Sequence, residues 1–340
     1  MIAIITQLKA AINDSSLQKI GEIRLSFNVP SGTVPFIDIS GSRDADGNEI
    51  FVTLKSVDGN ERFTLNSDGS TSLLSALILG ASQKRVFFSQ GTYEVSLLNK
   101  YALQVLNSYD LSAVGMKPTD FNFLPVIKNL TLAKASFNTD LAFENCDKLT
   151  EVSFSGDTAI VNLSDFAKIK SLEKVVLANG SAIRGDIGGL SSQIKYISIL
   201  SCNNVIGALS GLSNNTELTY LKLSRTGVSG DIAALSGLKN LTDLSVEISN
   251  ITGDIASLGG CTSLTNLVTS DSKITGSIEN LITAFRQNGR ASGSIRYDYA
   301  GTEGEITYAG LPLKSWVSAN LGVRDVLITW DSTSISITGA

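Results

Sequence analysis

Residues 218–255 read LTYLKLSRTGVSGDIAALSGLKNLTDLSVEISNITGDI, two copies of one pattern laid end to end. Each copy opens with an aliphatic residue, two free positions, a second aliphatic, one free position and a third aliphatic. A gap follows, then Ile or Val, a free position, Gly, a free position and another aliphatic. In both directions along the chain the leading aliphatic recurs, at Leu149, Leu172, Ile194, Leu218, Leu241 and Leu264, with intervals of 23, 22, 24, 23 and 23 residues. The glycine segment recurs with it, as Ile183-Arg184-Gly185-Asp186-Ile187, Val205-Ile206-Gly207-Ala208-Leu209 and Ile274-Thr275-Gly276-Ser277-Ile278, besides the two copies quoted. A period of about 20 to 50 residues marks a stack of supersecondary units, none of which buries its apolar face alone.

Alternation within each copy predicts a short strand whose aliphatic positions point inward and pair in parallel with those of the neighbouring copies. The free positions then face outward. They read Glu151 and Ser153, Lys174 and Val176, Tyr196 and Ser198, Tyr220 and Lys222, Asp243 and Ser245, Asn266 and Val268. Tyr196 and Tyr220 fall on adjacent rungs, and tyrosines supply rigid stacking area for protein or glycan contact. The candidate contact face is therefore Lys174, Tyr196, Tyr220, Lys222, Asp243 and Asn266, with an ordinary solvated face as the alternative. The repeated Gly is expected to permit a backbone turn closed to other residues. Asp186, Asp231 and Asp254 follow that Gly, but Ala208 interrupts the column, which favours capping of a neighbouring turn over metal binding.

Forty-three per cent apolar and 17% charged residues describe a globular chain able to bury a core. A net charge of -5 and the lack of a basic run argue against nucleic acid as a partner. The apolar stretch at residues 73–79 is about one third of what a membrane-spanning helix needs, so no membrane insertion is expected. Histidine is absent, which removes Ser-His-Asp, Cys-His and His-containing zinc chemistry. No catalytic residue, metal site or cofactor is read from the chain. The spacing of Cys146 and Cys261 places them five rungs, about 24 Å, apart, too far for a disulfide.

Residues 1–20 carry apolar positions at helical spacing and predict a short N-terminal helix. Residues 21–110 alternate with period two and hold Asp46-Gly47, Asp58-Gly59 and Asp68-Gly69, which suit tight hairpins. They predict an antiparallel, sandwich-like β-domain used for anchoring or oligomerisation. Asp44-Ala45-Asp46-Gly47-Asn48-Glu49 imitates part of a calcium loop, yet with Gly47 in register the terminal ligand position holds Thr53, so it is read as a hairpin turn. Residues 111–290 form the repeat solenoid, entered through a cap containing Phe121 and Phe123. Ser277 is placed to cap a helix bearing Ile278, Leu281, Ile282 and Phe285, with Asn288-Gly289 as its stop. Residues 291–340 predict a β-rich cap whose final hairpin carries Trp330. The fold class is thus mainly β with short helices.

The repeats resemble leucine-rich repeats, whose Leu-x-x-Leu-x-Leu-x-x-Asn pattern they follow over residues 127–285. The Val-Ser-Gly-Asp-Ile and Ile-Thr-Gly-Asp-Ile segments resemble the plant-type class without its Pro. At the family's Asn position stand Asp157, Gly180, Cys202, Thr226, Ser249 and Ser272, so a regular Asn ladder is not expected. The whole arrangement, ending in Ile-Thr-Trp-Asp-Ser-Thr, resembles repeat proteins of Bacteroidetes and of the tailed phages that infect them. That resemblance implies a non-enzymatic virion fibre or decoration component, or a bacterial cell-surface adhesin. The N-terminus lacks a leader pattern, which favours assembly in a cytoplasm and hence the virion. Expected partners are other virion proteins or further copies of the chain, and a host surface glycan or protein. A glycan-processing enzyme is a further alternative, with no carboxylate pair to carry it.

Overall fold

The computed structural model describes residues 22–29, 36–57, 63–64, 76–88, 90–98, 103–109, 127–132, 143, 146–155, 161–298, 306–323 and 325–340. The predicted N-terminal helix, the Asp58-Gly59 and Asp68-Gly69 turns and the Phe121/Phe123 cap lie outside them. Two compact units divide the chain, Met1–Ile160 and Val161–Ala340.

In the first unit the period-two stretches form two sheets. Glu22–Val29 pairs antiparallel with Gly91–Leu98, which pairs with Val52–Ser56, which pairs with Ala76–Leu79. Phe36–Ser40 lies between Lys84–Phe88 and Val105–Tyr109 in the other sheet, antiparallel to both. Phe88 of one sheet meets Tyr93 of the other edge-on, with ring centroids 5.1 Å apart, and Ile37, Ile39, Val52, Leu54 and Leu97 are buried with them. This is the sandwich that the alternation predicts. Asp38 is buried in it and accepts two bonds from Arg85, at 2.8 and 2.9 Å, a bidentate pairing that offsets the desolvation of its carboxylate. Asp46-Gly47 turns the hairpin of Ser42–Arg43 and Glu49–Ile50. There the Asp44 carboxylate accepts from the backbone N–H groups of Asp46 and Asn48, so the acidic run folds onto its own backbone. Val105–Tyr109, placed in the antiparallel domain by its position, pairs in parallel along its other edge with Asn129–Leu132, which pairs in parallel with Glu151–Ser155. The repeat ladder of this unit therefore starts from a strand that also belongs to the sandwich.

The second unit is built rung by rung. Lys174–Ala178, Tyr196–Ala208, Tyr220–Asp231, Asp243–Ser245, Asn266–Val268 and Gly293–Asp298 form a parallel ladder. Its register keeps Val175, Ile197, Leu221, Leu244, Leu267 and Tyr297 in one buried column. The leading residues Leu172, Ile194, Leu218, Leu241 and Leu264 are fully buried as well. Removing one such Leu costs about 2 to 5 kcal/mol, since the rungs on either side hold the cavity open. Threonine hydroxyls tie successive rungs together: Thr219 donates to the Lys195 carbonyl, Thr242 to that of Thr219 and Thr265 to that of Thr242, at 3.0, 2.9 and 3.1 Å.

The glycine segment is a strand and not the turn expected of it. Ile183–Asp186, Asn250–Asp254 and Lys273–Ser277, together with the ends of the two long strands, make a second parallel ladder. Within it Gly185, Gly207, Gly230, Gly253 and Gly276 all hold φ between 107° and 120°, a region closed to side chains. The turn comes one residue later. Asp186, Asp231 and Asp254 each accept from the backbone N–H two residues ahead at 2.8 Å and so cap the short 3₁₀ helices Ile187–Gly189, Ile232–Leu235 and Ile255–Gly260. Ala208 leaves the helix Leu209–Leu212 without a side-chain cap.

At the family's Asn position, Ser249 and Ser272 donate to the carbonyls three residues before, at 2.8 and 2.6 Å, and Cys202 to that of Leu200 at 3.3 Å. The Thr226 hydroxyl is buried without a hydrogen-bond partner. The residue before each of these and before Gly180, namely Asn179, Ser201, Arg225, Ile248 and Asp271, is left-handed, with φ between 47° and 53°. Cys146, Cys202 and Cys261 are buried thiols, none of them in a disulfide.

The helix Ile278–Gln287 follows as predicted, with the Ser277 hydroxyl accepting from Asn280 N–H and Ile278, Leu281, Ile282 and Phe285 buried. Gly293–Asp298 pairs antiparallel with Asp325–Trp330, which forms a hairpin with Ile335–Gly339. Trp330 is buried there, its ring stacked on Phe285 at 5.5 Å, and the Arg290 guanidinium lies 4.6 Å from the Trp330 ring centre and 5.0 Å from that of Phe285. One element departs from the β-rich expectation. Leu313–Asn320 is a helix that follows Pro312, buries Leu313 and Val317, and gives way to Gly322 at φ 66°.

Candidate contact face

Strand alternation sends the free positions of the first ladder to one face, and the parallel register aligns them in columns. One column runs Lys174, Tyr196, Tyr220, Asp243, Asn266 and Arg296. The next runs Val176, Ser198, Lys222, Ser245, Val268 and Asp298. Five of the six residues singled out in the sequence thus share a single column, and Lys222 stands beside it. Arg296 extends the column by a rung. Its signal is the strand alternation through Ile295 and Tyr297, inside the stretch expected to form the C-terminal cap.

Within the column Tyr196 and Tyr220 stack with ring centroids 4.1 Å apart and planes 6° from parallel. The Lys174 ammonium stands 5.3 Å from the Tyr196 ring centre. Burial pushes the Tyr196 phenol above its ordinary value, and the Tyr220 hydroxyl group beside it adds to the shift. Asp243 is held from two sides: Asn266 Nδ2 donates to one carboxylate oxygen at 2.6 Å, and Thr242 Oγ1 lies 2.6 Å from the other, its single proton shared with the Thr219 carbonyl. Lys222 Nζ lies 3.3 Å from Glu247 Oε2, to which the Ser245 hydroxyl also donates. Arg296 pairs with Asp325 at 2.9 Å.

Two depressions flank Lys222. One, of about 110 Å³, is bounded by Tyr220, Lys222, Asp243, Ser245, Asn266 and Val268. The other, of about 360 Å³, lies where the strands end and is bounded by Asn179, Ser201, Lys222, Arg225, Glu247 and Ile248 among others. Sequence reasoning passed over Arg225 and Ile248, because only the left-handed backbone before the family's Asn position turns those side chains outward.

The double parallel ladder, the 3₁₀ returns and the period near 23 residues define a leucine-rich-repeat solenoid fold. No family model matches the chain, and no curated protein matches it. Among solved structures it is similar to internalin C2 of Listeria monocytogenes, at 21% identity and a TM-score of 0.44, over 62% of this chain and 83% of that one. It is similar to an internalin, inlF, of the same organism at 15% identity and a TM-score of 0.32, over 57% and 73% of the two chains. The leucine-rich-repeat ectodomain of the Arabidopsis thaliana receptor kinase GASSHO1/SCHENGEN3, solved with Casparian strip integrity factor 2, matches at 20% identity and a TM-score of 0.38 over 54% of this chain. The present chain spans 25% of that receptor chain. The likeness in each case is one of fold.

Proposed function

We propose that this protein is a non-enzymatic display module that makes contact through the strand face centred on Tyr196 and Tyr220, as a fibre or decoration component of a tailed-phage particle. The observation that carries the contact role is the stack itself. Two aromatic rings are held parallel at 4.1 Å on a regular ladder and remain half-exposed, so little side-chain freedom is lost when a partner covers them. Carboxylates of the repeats support a non-enzymatic reading, because Asp243 on this face is engaged by Thr242 and Asn266, and Asp186, Asp231 and Asp254 on the second ladder are engaged as helix caps. The virion assignment rests on the sequence resemblance of the Gly-Asp-Ile repeats and the Ile-Thr-Trp-Asp-Ser-Thr ending to phage and Bacteroidetes repeat proteins.

The experiment has two readouts. Mass spectrometry of purified particles is expected to find the chain in stoichiometric amount, and its absence would remove the virion role. Purified protein is expected to bind the surface of host cells, and Tyr196→Ala/Tyr220→Ala is expected to lose that binding while melting as a folded protein. Unchanged binding by the double variant would remove the contact role of this face.

A further inference from the structure

We infer that the depression beside Tyr220 is a subsite for a neutral hexopyranose, with the ring of the sugar lying on the open side of Tyr220 and its hydroxyls on Asp243 and Lys222. The inference rests on the contact role proposed for this face and names the ligand class of that same site. One side of Tyr220 is covered by Tyr196. The other looks along the ladder toward Asp243, its direct cross-strand neighbour, and onward to Asn266. Both are shorter than tyrosine, and the depression of about 110 Å³ opens there. It is sized for one partly buried ring.

The chemistry of the lining fits a sugar. A pyranose has a face of C–H groups that packs on an aromatic ring and an edge of hydroxyls that need both acceptors and donors. Tyr220 supplies the platform, already held by its stack. Asn266 donates to one oxygen of the Asp243 carboxylate, and the Thr242 hydroxyl, its one proton shared with the Thr219 carbonyl, lies against the other, which leaves acceptor capacity on both oxygens for a hydroxyl of the ligand. Lys222 supplies an ammonium donor whose place is set by Glu247. The lining as a whole exposes more apolar than polar surface, with Tyr220, Leu221, Leu244 and Val268 beside Asp243, Ser245, Asn266 and Lys222, the combination that the C–H face and the hydroxyl edge of a pyranose require together.

Saturation-transfer NMR on the full chain with methyl β-D-glucoside and methyl β-D-galactoside, each at millimolar concentration, tests this. Transfer is expected to at least one of them, strongest at the axial C–H protons on one face of the ring. Tyr220→Ala is expected to weaken apparent affinity roughly tenfold, in line with the loss of one stacking contact. Tyr220→Phe is expected to keep it, because the platform survives without the hydroxyl, and Asp243→Asn to weaken it through the altered hydrogen-bond pattern. No transfer from either sugar to the wild-type protein, or transfer unchanged in Tyr220→Ala, would overturn the inference. Host-cell binding by the same variants separates the two levels. Binding lost in Tyr220→Ala without any sugar signal would reject the sugar and keep the contact face, whereas binding unaffected would reject both.

Discussion

Asp231 stands where a Cβ on Gly253 would have to go. Its carboxylate is there because it caps the 3₁₀ helix of its own repeat, and the next rung must carry glycine to lie against it. Asp186 and Gly207 repeat the relationship, as do Asp254 and Gly276. Gly-x-aliphatic in one repeat and the aspartate of the repeat before are thus one device.

Gly253→Ala and Gly230→Ala separate its two parts. Both residues hold a positive φ, which costs an alanine about 1 to 3 kcal/mol. At Gly253 the new methyl also displaces the Asp231 cap, about 1 kcal/mol more. At Gly230 the rung before carries Ala208, and the nearest atom to a new Cβ is the Leu209 nitrogen at 3.4 Å. Urea melts should therefore show the larger loss for Gly253→Ala, and Asp231→Ala should cost less in that background than in the wild type. Equal losses at the two glycines would contradict the steric account.

Ala208→Asp should stabilise the protein. The helix Leu209–Leu212 lacks the side-chain cap that its neighbours have, and Gly230 already provides the space. The expected gain is about 1 kcal/mol, or roughly 2 to 4 °C in the melting temperature. A lowered melting temperature would show that the space is not usable.

Thr226→Val should also stabilise, by about 1 kcal/mol, because the hydroxyl is buried without a partner and the methyl fills the same volume. The corresponding change at Ser249 should destabilise, since its hydroxyl donates to the Val246 carbonyl. Thermal melts of the two variants are expected to move in opposite directions.

Burial pushes the Cys261 thiol up to about 12 from its ordinary value near 9. The folded state thus holds this proton over a range in which the unfolded chain releases it. Its contribution to stability is intact below pH 9 and is lost progressively as pH rises from about 9 toward 12. Cys261→Ala should flatten that part of the stability profile, and the native thiol should stay silent to a thiol reagent at pH 8 until denaturant is added. Rapid labelling of the native protein would contradict it.

The aliphatic columns were legible because burial on a parallel ladder leaves a period that survives substitution among Leu, Ile and Val, as at Leu172, Ile194 and Leu218. The outward column was legible for the same reason: Lys174, Tyr196, Tyr220, Asp243 and Asn266 are the residues left over once the inward positions are assigned. What those residues do to one another was less visible. The Tyr196–Tyr220 stack follows from their adjacency, but the bonds of Asp243 to Thr242 and Asn266 depend on rotamers that no pattern encodes. Gly230 and its equivalents were read as turn residues because a Gly with positive φ usually is one; here the second ladder continues through it and the bend waits for the aspartate. The helix Leu313–Asn320 escaped notice because Leu313 and Val317 are its only buried contacts, too few for a clear period. Its boundaries, Pro312 and Gly322, were the available signal.

The threonine ladder has a consequence for how the gene can change. Thr219, Thr242 and Thr265 each grip the rung before in the same way, so these three successive repeats meet their neighbours on equal terms, whereas Glu173 and Lys195 hold the same place in the two repeats before them. Recombination between repeats, at a step of 23 residues, adds or deletes a rung without disturbing those that remain. The length of the ladder is then set by the number of such repeats and its surface by the residues at their free positions.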